Sequence, residues 1–201
     1  LPGELFANKL IQFSPRQVDL APGASQVVRL SLRKPADLPA GEYRSHLTLS
    51  RIPDANTSSI EKNAATNPNE IGIVLTALVG ISIPVIVRHG ETTANAAITN
   101  PKFQAATPNE APTLSFDLER SGNASLYGDV VVDVLDKNSL VKQIAVASGV
   151  AVYTPNAVRK MKVALRPQES IDFSKKTLKI KFKENGEDGK KVFAENEISV
   201  Q

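Results

Sequence analysis

Asp129-Val130-Val131-Val132-Asp133-Val134-Leu135, followed by Asp136-Lys137-Asn138, decides the fold. Consecutive β-branched residues suit the pleated, half-buried surface of a strand. The Asp-Lys-Asn that follows is a hairpin signal, since Asp and Asn tolerate turn conformations. Working outward, the same alternation of short β-branched runs and turn residues recurs. Upstream lie Ala94 to Thr99, Phe103 to Ala106 and Thr113 to Leu118. Downstream lie Val141 to Ala147, Val150 to Tyr153, Val158 to Leu165, Thr177 to Phe182 and Lys191 to Val200. The polar run Glu184 to Gly189 supplies the turn joining the last two. Almost nothing has a helical period. Seven or eight strands over about 110 residues predict one complete immunoglobulin-like sandwich.

The first part of the chain also reads as β. Leu10 to Phe13 is a short strand closed by Ser14-Pro15, and Gln17 to Leu20 is another, ended by Ala21-Pro22-Gly23. Pro-Gly suits the central positions of a type II turn, because glycine accepts positive φ there. Ser25 to Leu32 alternates, with Val28, Leu30 and Leu32 on one face, and predicts a half-buried strand. Tyr43 to Ile52 alternates again. Residues 54–70 are rich in Asn, Ser and Thr and read as a mobile loop. Ile71 to Val87 is apolar on both faces, as expected of a central strand or of one with a face kept for a partner. The expected organisation is all-β, with two immunoglobulin-like domains at 1–89 and 90–201. The first supplies only four or five strands, so it is expected to be either small and irregular or lacking N-terminal strands. An incomplete sheet predicts self-association through its exposed edge.

Composition narrows the chemistry. Hydrophobic residues make up 41% and charged residues 22%, which allows a packed core and argues against disorder. With no Cys, a disulfide framework, a thiolate metal site and a cysteine nucleophile are excluded. The charge is +3, and the main basic run, Lys175 to Lys183, alternates with apolar residues. It reads as the wet face of a strand and not as a nucleic-acid surface, which would cluster basic and stacking residues. Leu1-Pro2-Gly3-Glu4 has neither the charged nor the apolar region of a signal peptide. The Ile71–Val87 run, interrupted by Gly80, Ser82 and Pro84, is too short for a spanning helix.

Pro15 to Leu30, containing the Pro22-Gly23 turn and Gln26-Val27-Val28-Arg29-Leu30, resembles the periplasmic pilus-assembly chaperones. Leu38 to Pro53, ending in Ile52-Pro53, is similar to the family's next strand. Ile71 to Arg88 sits where the family has the long last strand of its first domain, and Arg120 to Asp129 resembles the second domain of an atypical branch. The resemblance implies a periplasmic, non-enzymatic chaperone without cofactor. Its partner would be a pilin-like subunit, with an outer-membrane usher as a second candidate. Strand addition would supply backbone hydrogen bonds for affinity and side-chain pockets for specificity. It implies that Ile73, Leu75, Ala77 and Val79 bind the partner strand, and that Glu42, Arg88 and Asp188 form an interdomain ion network. Two departures stand out. The family's first three strands are not matched, and its carboxylate-anchoring Lys falls at Pro84. A generic immunoglobulin-like adhesion or structural module is the alternative, with both faces of the long strand buried internally.

Val85 to Asn95, with Arg88-His89-Gly90-Glu91-Thr92, resembles the start of the histidine phosphatases. Those enzymes need a second His far downstream. This chain has two His, and the other, His46, lies upstream. A motif without its structural context is weak, so His89 reads as a junction residue. No catalytic set and no metal site is expected. Acidic residues such as Glu184, Glu187 and Asp188 read as an ordinary turn, without the 12-residue ligand pattern of a calcium loop.

Overall fold

The computed structural model describes residues 2–52, 79–137, 139–166, 171–185 and 191–200. These hold eleven strands and no helix. They are β1 (Ile11–Ser14), β2 (Arg29–Leu32), β3 (Gly41–Ser50), β4 (Gly80–His89), β5 (Ala94–Gln104), β6 (Thr113–Gly122), β7 (Leu126–Asp136), β8 (Ser139–Val152), β9 (Val158–Ala164), β10 (Thr177–Lys183) and β11 (Val192–Ser199). The chain divides into two compact units. The larger comprises Leu1–Leu5, Pro35–Tyr43 and Arg88–Gln201; the smaller comprises Phe6–Lys34 and Arg44–Val87.

The larger unit is an all-β sandwich. A three-stranded sheet, β5-β6-β9, faces a four-stranded sheet, β11-β10-β7-β8. Neighbours are antiparallel, and the chain changes sheet between β6 and β7, β8 and β9, and β9 and β10. The period of two explains why these residues form a sandwich. Along β6 burial alternates residue by residue, placing Leu114, Phe116 and Leu118 inside, and β10 does the same with Leu178, Ile180 and Phe182. Val130, Val132 and Val134 of β7 complete a continuous core with Ile98, Val163 and Leu165. Fully burying each such side chain contributes about 1.5–3 kcal/mol.

Irregularities have local causes. The two runs expected at 94–99 and 103–106 form one strand, β5, whose pairing slips between Thr99 and Lys102, where Asn100 has φ 52°. Asn accepts this left-handed conformation and Pro101 lacks an N–H, so the ladder breaks without ending the strand. Likewise 141–147 and 150–153 merge in β8. In the hairpin before it, Asp136 pairs Ser139 and Lys137 has φ 48°. The Lys face of β10 is matched by acids: Lys179 lies 3.2 Å from both Glu195 and Glu197, and Lys181 lies 2.9 Å from Asp133.

The smaller unit is different. Its described strands form two separate two-stranded sheets, β1-β2 and β3-β4. Ala21-Pro22-Gly23-Ala24 forms the expected turn, with Gly23 at φ 78° and the Ala24 N–H donating to Ala21 O at 3.0 Å. The strands expected around it do not fully form. Residues 17–20 are irregular, and the strand at 25–32 contracts to β2, all of which is exposed. Alternation fixes which residues share a face, but burial needs a second layer to cover that face. Among the described residues of this unit the buried apolar side chains are Ala7, Leu10 and Val87.

Candidate functional site

A groove of about 720 Å³ opens in the smaller unit. Phe13, Val18, Leu20 and Val28 line it together with Leu47 and Leu49 of β3 and Val79 and Ile81 beside and within β4. Arg16, Asp19 and Arg51 add charge to its lining. The ends of β3 and β4 meet closely. The Arg51 N–H donates to Val79 O at 3.3 Å, and the Thr48 and Ser82 hydroxyls lie 3.3 Å apart. Gly80 permits this approach: a Cβ there would sit 3.1 Å from Leu49 O.

Several apolar residues along this pair remain wet. Val79 is 75% exposed, Ile81 65% and Leu49 47%; Ile83 and Ile86 are also exposed. Pro84 lies within β4. Proline cannot donate to a ladder, and within sheets it is confined to positions with an open side, first residues or bulges. Such a surface can add one more strand and pack apolar side chains against it. Of the four residues expected to contact a partner strand, Val79 lines the groove, while Ile73, Leu75 and Ala77 lie outside the described residues, as does the loop expected at 54–70. Sequence reasoning missed the groove lining contributed by Phe13, Val18, Leu20, Leu47 and Leu49. The alternation of 43–52 was the available signal for the last two.

A second cluster lies in the larger unit. The Arg88 Nε donates to Glu42 Oε2 at 3.1 Å. The Ser125 N–H donates to the same oxygen at 3.0 Å, and the Ser125 hydroxyl donates to Glu42 Oε1. The Thr154 N–H in turn donates to Ser125 Oγ at 3.0 Å. Burial, the largest single influence, pushes the Glu42 carboxyl up. The Ser125 hydroxyl and amide, then Arg88, together outweigh it and hold the carboxyl below its ordinary value. Glu42 is therefore a buried carboxylate with its lone pairs occupied, which suits an anchor. Of the three residues expected in an interdomain network, Glu42 and Arg88 pair within the larger unit, and Asp188 lies outside the described residues. Ser125 was missed, because nothing in Asn123-Ala124-Ser125 signals which distant strand it meets.

His89 ends β4 and is followed by Gly90 at φ 65°, tight against Ala40, and then by β5. No helix among the described residues follows it to complete a phosphate-binding pocket. The described residues contain no group of three or more His, Cys, Asp or Glu able to hold a metal. None of their helices could cross a membrane, since they form none. No family model, curated protein or solved structure matches the chain.

Proposed function

We propose that this protein is a non-catalytic, periplasmic chaperone-like factor that binds extended segments of pilus or fimbrial subunits by β-strand addition on its smaller unit. The observation that carries this reading is the wet apolar row Val79, Ile81 and Ile83 beside a groove lined by Leu47 and Leu49. An exposed apolar strand bordering a groove is costly to an isolated protein and useful to one that receives a guest chain. A pilin-like subunit lacking a strand has the complementary need, and an outer-membrane usher would be a further partner.

Co-expression tests the proposal. A pilin-like subunit deprived of its last strand should accumulate in soluble complex with the wild-type chain. The complex should be lost with Leu49→Asp and Val79→Asp. Equal recovery with wild type and variants contradicts the proposal. An adhesive or structural module is the second reading. It is favoured by the larger unit, whose core is already closed without a partner.

A further inference from the structure

The two units are built to very different standards. In the larger, Leu114, Leu118, Val130, Val132, Leu178, Ile180 and Phe182 are all inaccessible to solvent. In the smaller, both described sheets have two strands, and Phe6, Val27, Leu30, Leu32, Ile52 and Val79 are exposed. A two-stranded sheet is marginal in water, and segments with few buried apolar contacts are the first to open.

We propose that the two described sheets of the smaller unit are conditionally folded: they open and close together while the larger sandwich remains closed. Leu10 is central to the closed form. It is buried, its N–H donates to Ala7 O at 2.9 Å, and its carbonyl accepts the Arg33 N–H at 2.8 Å, so it joins the approach to β1 to the end of β2. Ala7 and Val87 are the other buried apolar side chains among the unit's described residues. A guest strand that covers Leu49, Val79 and Ile81 would add buried surface only in the closed form. It would therefore shift the population toward closure, and its apparent affinity would be scaled by the closed fraction. This last consequence rests on the strand-binding reading; the opening itself does not.

Hydrogen exchange of the full chain without any partner tests the inference. Amides of Val132 and Ile180 should exchange at least about a hundredfold more slowly than the ladder amides of Gln12, Ser31 and Ile81, after correction for intrinsic rates. Leu10→Ala should accelerate exchange in the smaller unit alone, and Leu118→Ala in the larger. Rates within tenfold of one another across the two units, or acceleration of both by Leu10→Ala, would overturn it. Because no partner is present, such a failure leaves the binding proposal to its own experiment.

Discussion

Arg88 and Glu42 form an unequal pair: the Arg88 side chain is 55% exposed, while that of Glu42 is fully shielded, with Nε and Oε2 3.1 Å apart. The asymmetry assigns the roles. The carboxylate is the buried anchor, and the guanidinium reaches in from solvent. Ser125 supplies two further donors, so the charge is met from three directions.

Replacing Glu42 by Gln should destabilise the larger unit by about 1–3 kcal/mol, because charge-assisted hydrogen bonds to a buried carboxylate are lost. The pH dependence has a definite sign. The folded carboxyl titrates below its ordinary 4.5, so its contribution is complete above that pH. It disappears as pH falls through the lower folded-state value. Urea melts of wild type should therefore lose stability below about pH 4.5 more steeply than those of Glu42→Gln. Parallel curves would contradict this.

Phe182 is fully buried and packs against Phe193 in a tilted pair with ring centroids 5.3 Å apart. Phe182→Ala should cost about 3–5 kcal/mol, measured by thermal or denaturant unfolding. Ile81→Ala, at a mostly exposed position, should change stability by no more than about 0.5 kcal/mol. The contrast separates core residues from those available to a partner.

Gly122 has φ 98°, and a Cβ there would lie 2.2 Å from Thr93 O. That carbonyl accepts the Asn123 and Ala124 N–H groups at 3.0 and 3.1 Å, while the Thr93 N–H donates to Asn123 Oδ1 at 2.8 Å. Gly122→Ala combines backbone strain with displacement of this turn and should cost more than about 2 kcal/mol. An unchanged melting temperature would contradict the account.

Much of the larger sandwich was legible because β6 and β10 alternate with a period of two, while the β-branched run of β7, buried on both faces, still reads as a strand. Leu114-Ser115-Phe116-Asp117-Leu118 states both its conformation and its buried face. The smaller unit was less legible. Val28, Leu30 and Leu32 share a face, yet sequence alternation cannot say whether another layer covers them. Glu42 and Arg88 were brought together by a resemblance, whereas Ser125, far along the chain, carried no local signal. The groove arises from segments around Phe13, Leu20, Leu49 and Val79, which only the fold assembles.

The central claim is that the smaller unit accepts an extended polypeptide strand beside Leu49, Val79 and Ile81. Amide chemical shifts should be recorded while the protein is titrated with a ten-residue peptide of alternating valine and threonine. The account predicts saturable shifts along β3 and β4 at residues of the smaller unit and none in β10 or β11. Those shifts should vanish with a proline-interrupted peptide or with Val79→Asp and Ile81→Asp. Absence of saturable shifts, or shifts indifferent to proline and to both substitutions, would contradict it.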